Sequence, residues 1–258
     1  MRRLLLGAVG CLALASAANA ADMYVAPPLS GGYKDAPVPV ATWTGFYAGI
    51  NGGYGWGGDS QVACHGTNYC DRNSLGDDRT SFSSEGGFGG GQIGYNWQPL
   101  SGGGFKDGPV TGNFVFGIEA DIQGSGIEGS GTISNTLGSA TAKNALDWFG
   151  TVRGRLGYAW GSALLYGTAG FAFGGVQDKL NVGGTTVASD RTATGYAVGG
   201  GLEYAFTPAW SGKVEYQYIN LDDDSLALNG VTADFNHEYN TVRVGLNYHF
   251  NRGYEPLK

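Results

Sequence analysis

Four carboxylates and four cations are spaced along this chain as mutual charge pairing requires. Glu119 and Asp121 stand two residues apart, as do Arg153 and Arg155, and Lys213 and Glu215; Glu203 and Arg243 are single. In a strand, residues i and i+2 share a face, whereas in a helix they point apart. Each doublet therefore projects both charges to one side of an extended segment. Four negatives against four positives suit an enclosed space, where charges must pair. Such a set holds charge in place; it supplies no nucleophile.

Other constellations carry less. GGGQIG at Gly89–Gly94 and GSGIEG at Gly124–Gly129 fit G-x-G-x-x-G, but neither leads into a helical period, as a dinucleotide site needs. His65, His237 and His249 match no H-E-x-x-H spacing. In an exported chain, Cys64 and Cys70 of CHGTNYC most simply close one small disulfide loop. The zinc alternative has only His65 nearby as a further ligand. Asp222-Asp223-Asp224, with Asp77-Asp78, could bridge divalent cations to lipopolysaccharide phosphates, although solvated loop charge is the plainer reading. His237 with Asp222–Asp224 and Ser225 is a conceivable lipid-hydrolase set, but nothing in the spacing separates it from chance. The expectation is a non-enzyme with no cofactor and no metal.

Eight segments must position the charges: Thr44–Trp56, Phe88–Trp97, Asn113–Gln123, Asp147–Trp160, Ala163–Val176, Thr194–Phe206, Trp210–Ile219 and Thr241–Phe250. Seven alternate apolar and polar with a period of two, the signature of strands with one greasy face. The fifth, ALLYGTAGFAFGGV, is apolar on both faces, so its phase is open. All eight charges fall on the face opposite the apolar one. Trp56, Trp97, Trp148, Trp160, Trp210, Tyr248 and Phe250 lie near segment ends, where interfacial girdles belong. Gly161-Ser162 and Thr207-Pro208 are tight turns. They alternate with long polar stretches, Gly57–Glu85, Gly124–Leu146, Gln177–Ala193 and Asn220–Glu238. Two of these have hairpin-like centres, at Gly183-Gly184 and Asn229-Gly230. Gln98–Gly112 is a Gly/Pro-rich insertion on the short-turn side.

A soluble sandwich would bury the apolar faces and wet the polar ones. The balanced charges, the aromatic girdles and an export leader favour the reverse. The expected fold is all-β, an eight-stranded antiparallel transmembrane β-barrel. In lipid only a closed barrel or a helix satisfies every backbone hydrogen bond. Eight strands leave a lumen that side chains fill, which makes a poor pore.

The chain has 258 residues. Met1–Ala20 reads as a secretory signal peptide, with Arg2 and Arg3, a short apolar core and a small-x-small cleavage site. A lipoprotein anchor at Cys11 fits less well. Residues 21–41 read as a Pro-rich periplasmic linker, 42–250 as the barrel and 251–258 as a polar, mobile extension. Of 15 basic side chains the leader removes Arg2 and Arg3, leaving 13 against 22 acidic, a net charge of −9. That excludes nucleic acid as a partner.

TWTGFYAGINGGYGWG, FGIEADIQ, DWFGTVRGRLGYA, LLYGTAGFAFG and YNTVRVGLNYHF resemble the outer-membrane immunogenic protein family of small alphaproteobacterial barrels, RopB-like with an OmpA-like membrane domain. The resemblance spans Thr42–Phe250. It implies a Gram-negative outer-membrane location, four surface loops, a porin-family label and no catalytic residue. It also implies partners: outer-membrane lipid and lipopolysaccharide, the assembly machinery reading Tyr248 and Phe250, and a host or surface ligand such as haemin at the loops. The roles in view are envelope integrity and surface interaction, with a narrow porin or a surface adhesin as alternatives. Asn251–Lys258 and the Cys64–Cys70 loop depart from the family pattern.

Overall fold

The computed structural model of the chain describes residues 40–57, 60–64, 78–99, 113–135, 138–250 and 254–255. The leader, most of the linker, His65, Cys70 and Asp77 lie outside the described residues, as does the side chain of Cys64.

Eight strands close into an antiparallel barrel: β2 (Gly45–Gly57), β5 (Glu85–Trp97), β6 (Phe114–Asn135), β7 (Gly138–Trp160), β8 (Ala163–Val182), β9 (Thr185–Ala205), β10 (Trp210–Leu221) and β13 (Glu238–His249). Neighbours around the ring follow chain order, and β13 returns to pair with β2. Closure leaves these strands no open edge.

The alternation sorts the side chains. Phe46 and Ile50 of β2 are 65% and 68% exposed, and Val244 of β13 is 60% exposed. A belt of exposed aromatic and aliphatic side chains this continuous is incompatible with water; its solvent is lipid. The double-sided fifth segment takes one phase: Leu165 and Phe171 face out, and Leu164, Tyr166, Ala172 and Val176 face in. Val244→Arg is expected to destabilise the barrel by about 2–4 kcal/mol, the cost of a cation on the lipid face. Urea unfolding from vesicles measures it, and a loss below about 1 kcal/mol would remove Val244 from the lipid band.

At one end the β7–β8 and β9–β10 connections are short, with Gly161 at φ +61° in the first of them. At the other end β6 to β9 run on far beyond the barrel rim as two long hairpins. Gly183 and Gly184 turn the second with φ of +57° and +88°, both in the left-handed region that a two-residue hairpin turn requires. Register shifts fall between Gly124 and Ile127 on β6 and between Leu146 and Trp148 on β7. Such bulges bend strands at barrel rims.

The described parts of the polar stretches are mostly strand. β3 (Ser60–Cys64), β4 (Asp78–Phe82), β11 (Asp224–Leu228) and β12 (Val231–Phe235) form a four-stranded sheet in the order β11-β12-β3-β4. Asn229 and Gly230 turn the β11–β12 hairpin at φ +51° and +77°. Val62, Phe82, Val231 and Phe235 of this sheet bury themselves against Ala140, Ala142, Leu180 and Val182 of the extended hairpins. The result is a cap with its own dry core.

Two residues of the C-terminal extension lie in a strand. β14 (Tyr254–Glu255) pairs with β1 (Val40–Ala41), two residues the sequence assigns to the linker. The two segments flank the β13–β2 seam in sequence, so their pairing ties its two chain ends together.

Candidate functional site

The barrel interior is the candidate site, and it is filled in layers. Nearest the short turns, Trp43, Val115, Ala159, Leu164 and Tyr166 pack together. Above them come the charges. Next is a second apolar layer of Phe88, Ile127, Leu146, Phe149, Val176, Ile219, Leu221 and Tyr239. The cap core closes the stack. The order follows from the strands: along β7, Ala159, Arg155, Arg153, Phe149, Leu146 and Ala142 all point inward in succession.

All eight sequence-selected charges lie in the charged layer, and all are buried. Strand pairing makes two contacts local, since Glu119 is opposite Arg153 and Glu215 is opposite Arg243. Arg153 Nη2 donates to Glu119 Oε1 at 2.7 Å and Asp121 Oδ2 at 2.8 Å, and Nη1 donates to Glu215 Oε1 at 2.6 Å. Arg243 Nη2 donates to the same Glu215 oxygen at 2.6 Å and Arg243 Nη1 to Asp121 Oδ2 at 3.3 Å. Lys213 Nζ crosses the barrel to Glu119, at 3.0 and 2.9 Å from its two oxygens. Three cations thus hold three carboxylates. Among the described residues Arg155 forms its ion pair with Glu203, and its guanidinium lies 3.6 Å from the centroid of the Tyr166 ring. The Glu203 carboxylate is held by Arg155, Ser211 and Asn247.

Neutral donors add to the shell. Tyr47 OH donates to Glu119 Oε2, Tyr166 OH to Glu215 Oε2 and Thr151 Oγ1 to Asp121 Oδ2, each at 2.7 Å. Inward-facing strand positions were the available signal for these residues, but no charge marked them. His249 sits in this lumen at the short-turn end, where its Nε2 lies 2.7 Å from Ser211 Oγ and 3.4 Å from Glu203 Oε1. The serine and the carboxylate meet the same ring nitrogen, whereas a hydrolytic triad needs them on opposite ones.

The rim hydrolase set is not assembled either. His237 is buried with Nε2 3.1 Å from Asp178 Oδ2 and Nδ1 3.2 Å from Tyr239 OH. Ser225 lies in the cap strand β11, and its backbone N–H donates to Asp224 Oδ1 at 2.8 Å. Burial alone would raise the Asp224 carboxyl. Hydrogen bonds from Ser189 and Ser225, with Arg191 nearby, outweigh it and hold the group below its ordinary range. GGGQIG lies within β5 and GSGIEG within β6, so neither opens a helix.

Residues 5–250 match the family described as outer membrane protein beta-barrel domain. The 31 kDa outer-membrane immunogenic protein of Brucella melitensis biotype 1 is 36% identical over 260 residues, covering 97% of this chain and all of that protein. The 22 kDa outer membrane protein of Rhizobium leguminosarum bv. viciae is 32% identical, covering 84% of this chain and 83% of its own. Among solved structures, the outer membrane protein OprG of Pseudomonas aeruginosa covers 81% of this chain and 97% of its own, at 13% identity and a TM-score of 0.43. That last likeness is too distant to carry a functional argument.

Proposed function

This chain belongs to the outer membrane protein beta-barrel domain family, and from that premise we propose that it is a sealed, non-enzymatic wall element of the outer membrane. Short turns face the periplasm and long hairpins the exterior, as in other barrels of this kind. The cap then presents the surface for contacts outside the cell, while the barrel contributes to envelope integrity. Tyr248 and Phe250, exposed on the outer wall at the end of β13, are the aromatic ending that assembly machinery would read.

The carrying observation is the filled lumen. Arg153 and Arg243 are each 1% exposed and locked to opposing carboxylates, with apolar layers on both sides. An ion crossing this section would have to break several buried charge-assisted hydrogen bonds at once, each worth about 1.5–3 kcal/mol. The purified full chain in planar bilayers is therefore expected to give no steady single-channel current. Reproducible unitary steps would overturn the sealed reading and favour a narrow porin.

A further inference from the structure

The barrel has no open edge, but the cap does. β10 ends at Leu221, opposite Gly195 of β9. Beyond that point β9 pairs with β8 alone, in an unbroken register up to the Gly183-Gly184 turn. The N–H of Asp222 donates to Thr194 O at 2.9 Å, so the even-numbered residues of β9 turn their backbone groups away from β8. Among the described residues nothing meets those of Thr186, Ala188 and Asp190, and all three residues are exposed. Unpaired edges are normally guarded by proline, lysine or a bulge. Residues 185–190 read TTVASD and carry none of these.

The open side also exposes apolar surface. Arg191 of β9 pairs with Asp224 of β11 at 3.3 Å, and Ser189 hydrogen-bonds the same carboxylate. The two strands thus face each other across the cap interior on this side. Toward the tip, Val187 follows on β9 and Leu226 and Leu228 on β11, all half-buried. β11 itself pairs only with β12. An edge of free backbone groups therefore borders a seam of half-covered aliphatic side chains. The charge at the edge is acidic. Asp190 lies on it, and Asp222 and Asp223 are exposed at its foot. Lys179 stands one strand back, opposite Ala188. The chain has a net charge of −7 and its eight lumen charges cancel, so the whole excess lies outside the lumen. A second copy would bring like charges together here.

We propose that β9 takes up an extended, basic segment of a partner protein as an added antiparallel strand. The backbone groups of Thr186, Ala188 and Asp190 pair with it. Its inward side chains are apolar and cover Val187, Leu226 and Leu228. Its outward ones are polar, with a lysine or arginine opposite Asp190. This rests on the cap being the contact surface outside the cell, and it names the strand and the partner chemistry of that surface.

The test titrates the folded full chain in neutral detergent with the labelled peptide GKVTVTG and with its glutamate counterpart GEVTVTG. A third peptide is GKVTVTG methylated on the backbone nitrogen of its central threonine, which faces Ala188. The parent is expected to bind GKVTVTG saturably, and about fivefold more tightly than GEVTVTG. The methylated peptide is expected to bind about tenfold more weakly, for want of a hydrogen bond. A188P removes an N–H from the open side of β9 and leaves the β8 ladder whole, as edge proline does. It is expected to lose about tenfold as well. D190K is expected to reverse the preference in favour of GEVTVTG. If A188P does not fold, the methylated peptide carries the test. Equal binding of the two lysine peptides, or of parent and A188P, overturns strand addition. Equal binding of GKVTVTG and GEVTVTG overturns the basic partner. Absence of saturable binding overturns both, and a parent dimer that A188P breaks then assigns the edge to a second copy. Binding by the purified chain but not by intact cells bearing it supports strand addition while overturning the outward reading of the cap.

Discussion

Arg153→Gln is expected to destabilise the folded barrel by about 3–5 kcal/mol, the cost of breaking a buried ion pair from one side. Arg153 is bonded to Glu119, Asp121 and Glu215 together. Removing its charge leaves those three carboxylates to Lys213 and Arg243, in a layer with no access to water. Arg153→Gln combined with Glu215→Gln restores the charge balance and is expected to lose less than Arg153→Gln alone. Urea titration of the protein in lipid vesicles, followed by tryptophan fluorescence, measures both. A loss within about 1 kcal/mol of the parent for Arg153→Gln would sink the claim that this layer is a closed electrostatic unit.

Phe235→Ala is the second large effect, and it is expected to be local. Phe235 is buried in the cap core with Val62, Leu180, Val182 and Val231. Truncating a buried phenylalanine costs about 3–5 kcal/mol. The cap is joined to the hairpins by apolar packing, while the barrel below has its own hydrogen-bond ring and filled lumen. Amide exchange in β3, β4, β11 and β12 is therefore expected to accelerate more than about a hundredfold, with β10 and β13 amides unchanged. Equal acceleration in the barrel strands would mean that cap and barrel unfold as one unit. No acceleration in the cap would mean that Phe235 does not hold it.

The closing strand illustrates how much was legible. Val242, Val244, Leu246, Tyr248 and Phe250 point to lipid, and Arg243 points to the lumen. Alternation alone gives that phase, because a one-residue slip would place the arginine in lipid at about 2–4 kcal/mol. The same reasoning selected all eight lumen charges. It did not select their partners. Glu119 and Arg153 meet across adjacent strands, but Lys213 meets Glu119 only because the ring closes and brings β10 across from β6.

The cap was hidden for a different reason. Val62 and Phe82 are isolated apolar residues in a polar stretch, and the short strands around them carry too few alternations to register. Val62 is buried because β3 pairs with β12, whose sequence lies some distance along the chain, with Ala233 opposite Val62. β8 is the intermediate case: its inner and outer faces read alike, and only its pairing with β7 and β9 decides that Leu165 meets lipid and Leu164 the lumen. The sequence by itself determined which residues share a face, since that is a property of strand periodicity and of the cost of charge in lipid. Closure decided which faces meet, because contacts across the lumen and within the cap join residues with no local relation.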